Sequence, residues 1–113
     1  MIDSYINIDK SHKSFDKAFV DLGLNKLVLK NITNSNQINL VVTSLAKYGE
    51  TKKNLSDFES TNKSFPTLII VDDKDFEQTI DLIQNPLIEL MSSKSEIEEV
   101  GARIHALVGD SES

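Results

Sequence analysis

One uninterrupted aliphatic run constrains the fold of this chain more than any other feature. Pro66 and Thr67 lead into four aliphatic residues, 68–71, and two aspartates close the run. A strand with one solvated face would alternate polar and apolar residues, so this run predicts a strand that is buried on both faces. The rest of the chain is therefore expected to pack as layers around that strand.

Apolar spacings elsewhere predict further strands and helices. The predicted elements are a strand over 4–8, a helix over 15–22 that Gly23 ends, a strand over 26–33, a helix over 38–48 that Gly49 ends, and a last helix over 95–108 that Gly109 ends. Ser95 and Glu98 have the spacing of a capping box for the last helix. Alternation of strands and helices predicts an α/β fold.

Three segments allow alternatives. Residues 40–42 also fit a strand, because valine favours strands, although the helical stripe and both end signals favour a helix. Residues 50–63 are polar, and either hold a short helix anchored by Leu55 and Phe58 or form a functional loop. Residues 74–91 fit a helix or a hairpin with an antiparallel edge strand, and Pro86 interrupts either one.

Composition excludes several classes of function. The chain of 113 residues is expected to form a single α/β domain over 1–109 with a polar tail over 110–113. It has no cysteine, which excludes disulfides, thiolate nucleophiles and sulfur-ligated metals. Its net charge is -6 and its lysines are dispersed, which disfavours nucleic acids and anionic membranes as partners. No signal peptide, membrane span or glycine-rich phosphate loop is evident, so a cytoplasmic location is expected.

The order of elements resembles the thioredoxin fold in its compact glutaredoxin-like form. The likeness comes from three segments: the proline and strand of residues 64–71, the strand, loop and helix of residues 5–22, and the closing helix of residues 95–108. The resemblance implies a three-layer α/β/α sandwich around a central mixed sheet of about four strands. It also implies that Pro66 corresponds to the family's cis-proline.

The chain departs from that family at the active-site loop. Ser11 and Ser14 have the spacing of the two family cysteines, but a hydroxyl does not form disulfides or ionise near neutral pH. Redox activity is therefore not expected. The resemblance implies a groove where this loop lies beside the turn before Pro66, and the long loop adds two apolar residues. The residues predicted to bind a protein partner are Lys10, Ser11, His12, Lys13, Ser14, Phe65, Pro66, Leu55 and Phe58.

Two clusters of titratable residues allow other interpretations. His12 beside Ser11 or Ser14 could form a nucleophile–base pair, but neighbours in sequence seldom reach that geometry, so an exposed loop histidine is expected. The aspartates at 72, 73 and 75 could hold Mg²⁺, as in the receiver domains of response regulators. A solvated turn is expected instead, because no later lysine-bearing strand is evident and the chain is short for five strand–helix units.

The prediction is thus a non-redox, thioredoxin-like module with a protein-binding or regulatory role and with no enzymatic activity, cofactor or metal. The alternative is an acidic inhibitor of the immunity or antitoxin type, which would block a basic, nuclease-like partner with steep salt dependence. An enzyme that uses His12 with a serine is the third class, and it requires those side chains within hydrogen-bond reach in a pocket.

Overall fold

The computed structural model describes residues 1–58 and 64–109, which form one α/β fold. In chain order its strands and α-helices are β1 (Ile2–Asn7), α1 (Phe15–Asp21), β2 (Leu24–Lys26), β3 (Leu40–Ser44), α2 (Tyr48–Leu55), β4 (Thr67–Val71), β5 (Ile88–Ser92) and α3 (Ile97–Val108). Short 3-10 helices lie at Lys10–His12, Leu29–Asn31, Ser35–Gln37, Leu45–Lys47, Asp73–Thr79 and Leu82–Gln84. The predicted polar tail lies outside the described residues.

The sheet has five strands in the order β2-β1-β3-β4-β5, and every neighbouring pair is parallel. The prediction of an α/β fold is confirmed, whereas the prediction of a mixed sheet of about four strands is wrong in both count and direction. The order 2-1-3-4-5 is one of the two common orders of doubly wound sheets. Such sheets carry helices on both faces, because each parallel crossover must pass over one of them.

The aliphatic run after Pro66 is an interior strand, as predicted. β4 lies between β3 and β5, and its residues from Leu68 to Val71 are completely buried. Helix α1 is also confirmed, and it ends where Gly23 takes a φ of 86°, a left-handed conformation that favours glycine. The Phe65–Pro66 bond is trans, since the described residues include no cis peptide bond.

The predicted helix over 38–48 is wrong, and the alternative strand is correct. All five residues of β3 are buried, which is typical of the middle strand of a parallel sheet rather than of a helix with one solvated face. Asn34 and Gln37 do form a capping box, but it caps a 3-10 helix of three residues. Gly49 lies inside α2 instead of ending a helix.

The other predicted elements differ from the structure mainly in their boundaries. The strand predicted over 26–33 shares only Lys26 with β2, which is Leu24–Lys26. A 3-10 helix follows at Leu29–Asn31. The short helix among 50–63 is confirmed as α2 up to Leu55, although residues 59–63 lie outside the described part. Residues 74–91 form neither an α-helix nor a hairpin, but two 3-10 helices and the parallel strand β5. α3 is confirmed, but Glu96 precedes it without a side-chain cap, so the Ser95–Glu98 capping box is wrong.

Two apolar clusters lie on opposite faces of the sheet. The first packs α1 and α3 against the sheet, with Phe19, Val42 and Ile104 among its buried members. The second packs α2 against the other face and includes Val41 and Leu55. Adjacent residues of β3 thus belong to different clusters, as the alternation of side chains along a strand requires.

Candidate functional site

The carboxyl ends of all five strands meet at one edge of the sheet, because the strands are parallel. In open parallel sheets, ligands bind at this edge, near the point where the strand order reverses. Here that point lies between β1 and β3. The loops that follow β1, β4 and β5 carry polar side chains at this edge and form the candidate site.

His12 lies at the centre of this edge, in the 3-10 helix Lys10–His12 that follows β1. Its side chain bridges two carboxylates: Nδ1 contacts Oδ1 of Asp9, and Nε2 lies 3.1 Å from Oδ1 of Asp72. Asp9 follows β1 and Asp72 follows β4, so the bridge spans the end of β3. His12 is only 7% exposed, and the prediction of an exposed loop histidine is therefore wrong.

Hydrogen bonds fix the two carboxylates around the imidazole. Ser11 Oγ donates to Oδ2 of Asp9 at 2.7 Å, and the backbone N–H of Asp9 donates to Oγ of Ser44 at 3.2 Å. Ser44 is the last residue of β3, so the loop after β1 is fastened to the neighbouring strand. We name the bridge formed by Asp9, His12 and Asp72 the imidazole clasp.

The clasp favours a charged imidazolium. Burial lowers the pKa of His12, but hydrogen bonds to Asp9 and Asp72 together with their charges outweigh it, and the pKa is raised above its ordinary value of 6.5. Burial raises the pKa of Asp9, but hydrogen bonds from His12, Ser11 and Ser44 lower it to about 2. The pKa of Asp72 is lowered by hydrogen bonds involving Ser93 and His12. Below the raised pKa of His12, the clasp is therefore one cation between two anions.

A second ion pair closes the β5 end of the edge. Lys94 follows β5, and its Nζ lies 3.4 Å from Oδ2 of Asp73, whose Oδ1 accepts a hydrogen bond from Ser92 Oγ at 2.8 Å. One ground for setting the receiver-type arrangement aside is thus wrong, since a lysine does follow the last strand. The other stands in part, because the described residues form five strands but only three α-helices. Sequence order could have indicated Lys94, had residues 88–92 been recognised as a strand.

The edge has little capacity for a metal ion. Among residues 1–58 and 64–109, no three His, Cys, Asp or Glu side chains converge to form a metal site. The last two residues of β3, where a further carboxylate would complete an acidic cluster, are Thr43 and Ser44, whose side chains are buried hydroxyls. The facing oxygens of Asp9 and Asp72 are already bound by His12. A crevice of about 280 Å³ remains beside the clasp, lined by Asp75 and Gln78 in addition to the clasp itself.

The geometry also bears on a serine nucleophile. Ser11 Oγ lies 3.3 Å from Nδ1 of His12, which is within reach, but that nitrogen faces Asp9 and Ser11 donates its proton to Asp9 instead. With Nε2 directed at Asp72, the imidazolium keeps no lone pair to accept a hydroxyl proton. Ser14 is exposed and directly precedes α1. This arrangement holds the histidine in place and does not activate a serine.

The predicted protein-binding residues do not form one groove. The loop of Lys10, Ser11, His12, Lys13 and Ser14 follows β1 at the carboxyl edge, whereas Phe65 and Pro66 precede β4 at the opposite edge. Within the loop, Lys10, Ser11, Lys13 and Ser14 are exposed and only His12 is buried.

Leu55 and Phe65 are brought together, but inside the molecule. They are 2% and 3% exposed and belong to the second apolar cluster, against which Phe58 packs. With Val41 they also line a cavity of about 190 Å³ beside the start of β4. The expectation that Leu55 and Phe65 form part of an interaction surface is therefore corrected, because both are core residues.

Sequence reasoning missed Asp72 as a partner of His12. Asp72 is 60 residues away in the chain, and only the parallel order of β1, β3 and β4 brings it near. Asp9 stands three residues before His12, a spacing that suits contact in a helical turn and was the one local signal.

Comparison of the chain with protein-family models, with curated proteins and with solved structures finds no match. Within the described ranges, no helix is long and apolar enough to cross a membrane.

Proposed function

We propose that this protein is a regulatory module that binds another protein and carries out no catalysis. The observation that carries the proposal is the imidazole clasp. At the edge where open parallel sheets bind ligands, His12 uses both ring nitrogens on Asp9 and Asp72, so the groups that could bind a metal or a phosphate serve the protein's own structure.

The strand order supports a regulatory scaffold by analogy. The order 2-1-3-4-5 is that of flavodoxins and of the chemotaxis response regulator, and the analogy is one of fold alone. In receiver domains, carboxylates at the strand ends hold Mg²⁺. Here His12 pairs with two of the carboxylates and Lys94 with a third, which suits a module that keeps the scaffold without the metal-dependent chemistry.

The thioredoxin-like part of the prediction remains a prediction. Its substrate groove would require the loop of Lys10 to Ser14 beside Pro66, and the two lie at opposite edges of the sheet. The protein-binding part draws its support from a different region. Between β4 and β5, Ile80 and Ile83 are 60% and 59% exposed and stand one helical turn apart on the same segment. Neighbouring apolar side chains in solvent mark interaction surfaces more often than isolated ones do.

An acidic inhibitor is the second candidate, and one observation favours it. The segment 72–84 contains five carboxylates and a single lysine, out of a net charge of -6 for the whole chain. An inhibitor of this kind would cover a cationic active site, and its association rate would fall steeply with salt. Inhibition of a basic enzyme from the same cells, with this salt dependence, would distinguish it from a regulatory module.

Two measurements test the main proposal. The protein is first titrated with MgCl₂ to about 20 mM, alone and with a small phosphoryl donor, while amide NMR signals of Asp9, Ser44 and Asp72 are followed. We expect no saturable shift and no phosphorylated product. Chemical cross-linking in an extract of the source cells should then capture a partner in a fixed ratio. Saturable Mg²⁺ binding at these amides, phosphoryl transfer, or an extract with no partner would overturn the proposal.

A further inference from the structure

The segment between β4 and β5 reverses the usual partition of side chains. It consists of 3-10 helices at Asp73–Thr79 and Leu82–Gln84, with no α-helix between them. Thr79 is 1% exposed, and its hydroxyl donates to the carbonyl of Phe76 at 2.6 Å. Ile80, the next residue, is 60% exposed. A segment that buries a threonine and exposes two isoleucines leaves apolar surface free for a partner.

This surface continues into a groove across the edge of the sheet. Phe76 and Ile83 line one side of it, and Ile88 and Leu90 of β5 lie at its base. Its volume is about 400 Å³, and α3 contributes Glu99 and Arg103 to its lining. β5 is the last strand of the sheet, so no further strand covers the base of the groove.

The charges around the groove define what it would accept. Asp73 is paired with Lys94, and Glu89 and Glu99 are both paired with Arg103. The carboxylates of Glu77 and Asp81 are exposed beside the isoleucines, and Lys74 is the one cation among residues 72–84. The surface therefore combines exposed apolar side chains with an excess of negative charge.

We propose that this surface, made of Phe76, Ile80, Ile83, Glu77 and Asp81, binds a basic amphipathic segment of another protein. Large apolar side chains of that segment would cover the isoleucines and the groove, and its lysines or arginines would face the two carboxylates. The inference rests on the proposed function and names the chemistry of the partner.

A second copy of the chain is a poorer occupant of the same surface. In a twofold dimer the same patch meets itself, so Glu77 and Asp81 of one protomer would face the same two carboxylates of the other. Like charges at such a contact oppose association. An anionic membrane is disfavoured for the same electrostatic reason.

The test uses a fluorescent peptide of about eighteen residues, with leucines at helical spacing and lysines elsewhere, and a control peptide with glutamates in place of the lysines. Affinity is measured by anisotropy at several salt concentrations, and the contact is mapped by amide NMR. We expect the lysine peptide to bind, to shift amides of residues 73–84, and to weaken as salt rises. We expect no binding by the glutamate peptide.

Matched variants locate the contact. The double variant Ile80→Ser/Ile83→Ser should weaken binding at least about tenfold, as loss of central apolar contacts does. The control Val20→Ser/Val28→Ser alters two exposed valines elsewhere on the protein, and its affinity for the peptide should stay within about twofold of the wild type. Glu77→Gln/Asp81→Asn should reduce the salt dependence, whereas Asp21→Asn/Asp57→Asn should reduce it less.

Four results would overturn the inference: no binding of the lysine peptide, equal binding of the glutamate peptide, equal weakening by the valine control, or self-association that Ile80→Ser/Ile83→Ser abolishes. The cellular partner separates this inference from the proposed function. If the extract partner is captured equally by the wild type and by Ile80→Ser/Ile83→Ser, the function stands and this surface is rejected. If neither captures a partner, the proposed function fails.

Discussion

Replacing His12 with asparagine tests the imidazole clasp most directly. Asparagine is neutral and its amide can still donate to Asp9, but it cannot reach Asp72 as well. The variant thus loses the positive charge and one hydrogen bond. Hydrogen bonds to charged groups contribute about 1.5–3 kcal/mol, whereas the Asp72 contact contributes little, because its side chain is 43% exposed. The bond to Asp9 is weakened but kept, so we expect His12→Asn to lower the free energy of unfolding by about 1–2 kcal/mol at about pH 5.5.

The loss should depend on pH with a definite sign. The pKa of His12 is raised in the folded protein, so its stabilising contribution is fully present below its ordinary pKa of 6.5 and is lost as pH rises through the folded value. Once the pH exceeds the folded pKa of His12, the neutral imidazole has one N–H donor and no charge, and its advantage over the asparagine amide should shrink below about 1 kcal/mol. On the acid side, the pKa of Asp9 is lowered to about 2, so its contribution is lost as pH falls from about 4 towards that value.

Urea unfolding followed by circular dichroism measures the free energy of unfolding of each variant below and above the folded pKa of His12. The slope of the transition should be the same for all variants. His105→Asn is the matched control, since His105 is exposed on α3 and should contribute less than about 1 kcal/mol. If His12→Asn lowers the free energy of unfolding equally below and above the folded pKa of His12, the charged clasp is refuted. A loss at about pH 5.5 no larger than that of the control would refute the bridge itself.

Three further substitutions test the core and two glycines. Ile69→Asp places a carboxylate at a completely buried site and should abolish cooperative thermal unfolding, whereas Ile83→Asp should leave the melting curve nearly unchanged; the opposite order would reject the placement of β4. Gly101→Ala should raise the free energy of unfolding in urea by at most about 0.5–1 kcal/mol, because alanine favours the helix but its Cβ would lie 3.1 Å from Cδ2 of Leu22, which must shift by a few tenths of an ångström. Gly23→Ala should lower it by about 1 kcal/mol, because φ there is 86°, and an increase would contradict the turn.

Much of the fold could be predicted from residues that act locally. β4 was predictable because an uninterrupted aliphatic run has few other uses in a chain of this size. β3 was not, because Val41 and Val42 satisfy a helical stripe as well as a strand, and the capping box at Asn34 is a real helix signal that belongs to a single 3-10 turn. β5 was not predicted because an edge strand is only half-buried and Glu89 interrupts its apolar pattern.

The candidate site was less predictable than the fold. His12 was identified as the notable titratable residue, but its environment depends on Asp72, which lies 60 residues later in the chain. A loop histidine next to serines and aspartates suggests an exposed catalytic group or a solvated side chain. Strand order decides between these and the clasp, and strand order depends on contacts between distant residues rather than on local pattern.

The division of the core between the two faces of the sheet has a consequence for motion. The face that carries α1 and α3 has the larger set of buried side chains, whereas the face that carries α2 is closed by one helix of eight residues and by short 3-10 turns. Local opening should follow this asymmetry, since amides exchange with solvent first where fewer apolar contacts must break. Deuterium uptake at Tyr48–Leu55 should therefore precede uptake at Ile97–Val108, so that the α2 face opens before the α3 face as denaturant is added.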